Sequence, residues 1–223
     1  LLQVLDALES QWRQRLGAGP DFRLCDVFDY IGGTSTGAII AAGLARGMST
    51  GELLTFYRSF GRGVFTRRSI LDLWKSLYGN GPLEQQLQQT FGPDTTLEPQ
   101  HLRTLLLVVT RNATTDSAWP VSSNPWAKYN DTTRPDCNLR LPLWQIVRAS
   151  TAAPFYFPPE VVTLDPARPD KRFVFVDGGT TAYNNPAFLL YRMATEPAYR
   201  LQWPTGERRL LIVSIGKIGR AHV

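Results

Sequence analysis

The chain has 223 residues, 43% hydrophobic and 19% charged, with 24 Lys and Arg against 19 Asp and Glu for a formal charge of +5. This suits one soluble domain with a substantial core and excludes a disordered chain. The basic residues are scattered as pairs such as Arg67-Arg68 and Arg208-Arg209, which argues against a nucleic-acid footprint and leaves a solvated surface, with modest attraction to anionic lipid as the alternative.

Leu1, Leu5, Leu8, Trp12 and Leu16 repeat at helical spacing and predict one buried helix face, ended by Gly17-Ala18-Gly19-Pro20. With no cap and no strand before it, this helix suggests that the sequence begins inside a longer protein. No leader peptide is readable. No apolar run approaches the roughly 20 residues that span a bilayer, the longest being 38–45 and 105–109.

The next stretch carries the chemistry. An apolar run, Val27-Phe28-Asp29-Tyr30-Ile31, leads into Gly33-Thr34-Ser35-Thr36-Gly37 and then Ala38-Ile39-Ile40-Ala41-Ala42. A strand feeding a sharp turn and a buried helix reads this way, and a Gly-x-Ser-x-Gly turn in that context is a nucleophile elbow with Ser35 at its tip. Side chains at either flanking glycine are expected to collide with the strand or helix. A turn that binds nothing, or that holds a phosphate at a helix N-terminus, stays open as the alternative; no nucleotide-binding glycine pattern fits.

A helix to about Arg46 should stop at Gly47. Ser49 and Glu52 have capping-box spacing for a helix to about Phe60. Ser69 begins a short helix with Ile70, Leu73, Trp74 and Leu77, and Pro82 opens another with Leu83, Leu87 and Phe91 aligned and Gly92 at its end. Residues 104–110 read as a buried strand. Residues 111–141 read as a long irregular connection with short strands, the kind of stretch that forms lids or surface excursions. Asn112-Ala113-Thr114 and Asn130-Asp131-Thr132 match the glycosylation pattern, a weak signal by itself.

Pro142 starts a helix whose small-residue end is expected to pack tightly before an extended proline and aromatic segment. Residues 173–176 form a strand ending at Asp177-Gly178-Gly179, and Asn185-Pro186 caps a helix to about Thr195. Residues 210–215 read as a last buried strand. Strands alternating with helices predict an α/β domain, three layers with a mostly parallel central sheet.

The partner for Ser35 is ambiguous from the residues. His101 lies far from any motif, and Ser35, Asp177 and His222 have the chain order of a triad, although a penultimate residue is poorly held for that task. Asp177, at a strand end beside two glycines, offers a carboxylate that could take the serine proton directly; an ordinary Asp-Gly turn is the plain alternative. Cys25 and Cys137 have no metal or disulfide spacing and read as small buried residues.

Asp29-Tyr30-Ile31-Gly32-Gly33-Thr34-Ser35-Thr36-Gly37, Ala149-Ser150-Thr151-Ala152-Ala153-Pro154-Phe155-Tyr156-Phe157 and Asp177-Gly178-Gly179 together resemble the patatin-like phospholipases, in order and separation. The resemblance covers nearly the whole chain. It implies an α/β/α fold and a lipid acyl hydrolase with a Ser-Asp dyad. Ser35 is then the nucleophile, Asp177 the base, Gly33, Thr34, Thr36 and Gly37 the elbow, and Gly178 and Gly179 the turn on the base side. It implies no metal or organic cofactor, an acyl-lipid substrate such as a phospholipid, and a cytoplasmic or peripheral-membrane setting. Residues 1–216 would be the domain and 217–223 a tail with no readable pattern that need not be native. The family's first strand and glycine-rich oxyanion loop are expected before Leu1, and Lys217 stands where a threonine is usual. Without that loop a non-catalytic lipid-binding module is the second alternative to the dyad hydrolase, beside the triad esterase. Oligomeric state is not legible.

Overall fold

The apolar run after Thr104 becomes the strand around which the sheet is built. The computed structural model describes residues 1–64, 81–165 and 167–216; the helix expected around Ile70 to Leu77, His222 and the tail lie outside them. β1 (Tyr30–Thr34) pairs in parallel with β2 (Leu105–Asn112), Tyr30 against Leu105 and Thr34 against Val109. β3 (Ser117–Ser122) folds back on β2 as an antiparallel hairpin partner. β4 (Glu160–Thr163) and β5 (Arg172–Asp177) pair antiparallel, and β5 joins β2 antiparallel at Thr110 to Asn112.

A strand has two edges, and β3 takes one of those on β2. β1 and β5 therefore follow each other along the other edge, running in opposite directions, so that their C-terminal ends meet. Thr34 stands opposite Val109 and Asp177 opposite Thr110, the next residue along. This head-on meeting of two strand ends positions the site.

Six helices cover the sheet among the described residues: α1 (Leu2–Leu16), α2 (Thr36–Ala45), α3 (Thr50–Val64), α4 (Gly81–Phe91), α5 (Leu143–Ser150) and α6 (Ala187–Thr195). The period of two in β2 divides the core. Leu106 and Val108 face α2, α4 and α5 in a cluster with Ala38, Leu87 and Ile146, whereas Leu107 and Val109 face α6 with Leu189 and Met193. The result is three layers, helix, sheet and helix. From Ala38 to Ala45 every residue of α2 is buried, as befits a helix apolar all round that lies between the sheet and the outer helices. The box before α3 closes on both sides: the Ser49 N–H donates to Glu52 Oε2 at 2.7 Å, and the Glu52 N–H to Ser49 Oγ at 3.2 Å.

Two expectations are corrected. The sheet is mixed rather than mostly parallel, since β1 with β2 is the one parallel pair among the described strands and the other three pairs are antiparallel. Strand direction depends on long-range pairing, and β4 went unread because it is short and follows two prolines. Residues 210–215 form no strand. A strand needs a neighbour for its backbone groups, and this segment has none beside it among the described residues. Across from it, β1 and α2 line a cavity of about 1470 Å3, and Leu211, Ile212 and Val213 are exposed. The asparagines of the two glycosylation patterns have structural partners. Asn112 is buried and its Oδ1 accepts the N–H groups of Thr114 and Thr115, while buried Asn130 donates to the carbonyls of Ser122 and Asn124.

Candidate active site

Ser35 sits between the last residue of β1 and the first of α2 with φ 57° and ψ −129°. A positive φ on a non-glycine residue is strained and persists only where the surroundings impose it. Two features do so. At Gly33 a Cβ would lie 2.1 Å from the Gly37 carbonyl oxygen, so strand and helix approach as closely as only glycine allows. The Ser35 N–H donates to Ser150 Oγ at 2.9 Å, and the Ser150 hydroxyl donates to the Val109 carbonyl at 2.7 Å. The expectation of a collision at both flanks holds at Gly33 only. Gly37 points into open space, with nothing within 4 Å of a Cβ there, because it borders the cavity beside β1.

The turn presents the Ser35 hydroxyl to Asp177, and Oγ donates to Oδ2 at 2.5 Å. Asp177 is 5% exposed. Its other oxygen accepts the Gly179 N–H at 2.7 Å, and its own N–H donates to the Ala152 carbonyl at 3.0 Å, so the carboxyl group is held in orientation from two sides. Gly178 is required by the meeting of β5 with β1 and β2, since a Cβ there would lie 2.1 Å from the Val109 carbonyl oxygen and 3.0 Å from Thr34 Cγ2. The Thr34 hydroxyl donates to the Tyr183 carbonyl at 2.9 Å, tying the elbow to the loop after Asp177. Thr36 opens α2, whose N-terminus points its positive dipole end at the Ser35 hydroxyl.

His101 takes no part. Its Nδ1 accepts the Thr96 N–H at 3.1 Å, in the connection that enters β2 at Leu105, whereas Ser35 stands beyond the opposite end of the β1–β2 pair. Ser150 is the residue with a part at this site that the sequence did not disclose. Its neighbours signalled a tightly packed helix end, and the packing is against the elbow and β2. Cys25 and Cys137 are buried. No helix among the described residues is long and apolar enough to cross a membrane.

The family model for patatin-like phospholipases matches residues 2–191. The chain is 30% identical over 208 residues to a cGAMP-activated phospholipase of Escherichia coli (strain TW11681), covering 91% of this chain and 54% of that protein. It is 28% identical over 229 residues to Patatin-1-Kuras 2 of Solanum tuberosum, covering 96% of this chain and 57% of that protein. The chain thus spans about half the length of the curated relatives it matches.

Proposed function

Because this chain belongs to the patatin-like phospholipase family, we propose that it is a lipid acyl hydrolase working through a Ser35–Asp177 dyad and an acyl-enzyme. The single observation that carries the reading is the 2.5 Å hydrogen bond from the serine hydroxyl straight to a buried, oriented carboxylate. A nucleophile needs a base within this distance, and here the base is Asp177 itself.

Asp177 Oδ2 accepts the hydroxyl proton as Ser35 Oγ attacks the carbonyl carbon of an ester. Negative charge gathers on the carbonyl oxygen, where the N-terminal end of α2 favours it. The tetrahedral species collapses, the carbon to alkoxy-oxygen bond breaks, and the alcohol leaves with the proton from Asp177. A water then gives its proton to the same carboxylate, attacks the acyl-serine, and releases the fatty acid and the restored hydroxyl. The Gly179 N–H on Oδ1 keeps Oδ2 facing Ser35 through both halves. The Ser150 contact keeps the elbow in the conformation that exposes Oγ.

Ser35→Ala and Asp177→Asn are each expected to lower acyl-ester hydrolysis about a thousandfold or more, with unchanged circular dichroism. Only Ser35→Ala should abolish covalent labelling by a fluorophosphonate outright. Activity retained in either variant would sink the dyad. A loss confined to His222→Ala would transfer the base to a triad. Binding of lipid by a protein that never labels would make the chain a binding module.

A further inference from the structure

From Ala149 to Pro159 the chain carries no charged side chain. Its middle forms a projecting loop that leaves the site directly, since the Ala152 carbonyl is the acceptor for the Asp177 N–H. Phe155 is 88% exposed and Tyr156 71%. Phe155 also has φ 69°, a left-handed conformation that costs a bulky side chain energy. A strained backbone that turns an aromatic ring outward is disfavoured for a loop meant to rest in water.

The backbone of this loop is prepared for a different medium. Pro154, Pro158 and Pro159 have no N–H to satisfy, and the N–H groups of Tyr156 and Phe157 both donate to the Ala153 carbonyl, at 3.1 and 3.0 Å. Bringing a loop into an apolar phase is costly chiefly through unpaired backbone groups, and here most donors are absent or internally paired. The base of the loop is fixed as well. Arg148, 1% exposed, donates through Nη2 to the Pro158 carbonyl at 2.9 Å, and its guanidinium lies 5.7 Å from the Phe157 ring centroid. Phe157 is turned inward against the core, so the loop cannot fold its other aromatic residues under without losing that anchor.

We propose that the Pro154 to Pro159 loop is an anchor for a phospholipid surface, inserting Phe155 with the exposed ring of Tyr156 into the interfacial layer and seating the mouth of the Ser35–Asp177 site against it. This deepens the hydrolase reading and rests on it for the choice of lipid as partner. Aromatic rings favour the boundary between headgroups and acyl chains. With no charge on the loop, the attraction is apolar and needs no anionic lipid.

The test separates binding from turnover. The full chain carrying Ser35→Ala is floated with vesicles of ether-linked phosphatidylcholine, which contain no carboxylic ester to cleave. Phe155→Ser in the same background should lower the vesicle partition coefficient about tenfold or more, the factor expected for withdrawing one phenylalanine ring from an apolar phase, and Phe155→Trp should retain it. A bimane probe on Phe155→Cys, with native Cys25 and Cys137 buried, should shift to the blue only when vesicles are added and be quenched by nitroxide-labelled lipid. Failure to float, equal partition of Phe155→Ser, or a probe already shielded without vesicles would each overturn the anchor; shielding would assign the loop to another part of a longer protein or a second copy. Fluorophosphonate labelling of Ser35 in the unmodified chain is read separately, so loss of the anchor leaves the hydrolase reading standing, and the reverse.

Discussion

On one side of β1 lies β2, paired along both edges and covered on both faces; on the other side residues 210–216 run past without a strand beside them. The two segments have much the same composition, apolar and rich in β-branched residues. Leu106, Leu107, Val108 and Val109 are wholly buried, whereas Leu211 is 67% exposed. Burial on a sheet is conferred by neighbours, which bring both hydrogen bonds and packing, and apolar composition only permits it. The difference also explains where the machinery lies. Among the described residues, contacts that hold Ser35 and Asp177 come from the paired side: the Val109 carbonyl through Ser150, the Gly178 approach to that same carbonyl, and the Thr34 tie to Tyr183.

The sharpest way to break this contrast is a pair of truncations. Leu107→Ala, in the cluster with Leu189 and Met193, is expected to cost about 2–5 kcal/mol of unfolding free energy, as large-to-small changes in a packed core do. Ile212→Ala, at a residue 45% exposed, should change it by no more than about 0.5 kcal/mol. Urea denaturation measures both. A cost above about 2 kcal/mol at Ile212 would mean that the segment is packed in solution and that the two regions are alike.

The same contrast separates what was legible from what was not. The elbow could be read because its information is local: a strand-forming run, a close-approach glycine at Gly33 and a small-residue helix within a few residues of one another. The helix stops and the Ser49 box are local in the same sense. Asp177 was visible as a strand end, but its choice over a histidine came from the family resemblance, because it meets Ser35 across 142 positions of chain. Ser150 stayed hidden because its task arises from contact 115 positions away. The antiparallel entry of β5 and the unpaired state of residues 210–215 are decided by partners, which no short window of sequence contains.

A smaller effect tests whether the paired side controls the elbow. Ser150→Ala leaves the Ser35 N–H and the Val109 carbonyl without their shared partner, which should cost about 1–3 kcal/mol for buried groups left unsatisfied. If Ser150 acts by positioning, fluorophosphonate labelling of Ser35 should slow more than the stability loss accounts for under conditions where the protein stays folded. Ser150→Thr should restore part of the rate, since it returns the hydroxyl. Labelling at the unmodified rate in a folded Ser150→Ala protein would confine Ser150 to a structural role.

The smallest expected effect is one of pH, and it belongs to the paired side alone, because residues 210–216 include no ionisable side chain. Glu160, at the start of β4, is buried, and that burial holds its carboxyl above the ordinary glutamate range despite a hydrogen bond from Gln145 Nε2 at 2.9 Å and the attraction of Arg148. A carboxyl raised in the folded state favours folding in its protonated form. Its contribution is therefore fully present below the ordinary glutamate pKa and is lost as pH rises through the raised folded value. Glu160→Gln cannot titrate, so relative to it the unmodified chain should lose melting temperature as pH rises above the ordinary glutamate pKa of about 4 and through the raised folded value, and Ile212→Ala should leave that slope as it was. Parallel curves for the unmodified chain and Glu160→Gln would place the charged carboxylate in water and open this end of the sheet. A slope altered by Ile212→Ala would instead couple residues 210–216 to the sheet across the cavity.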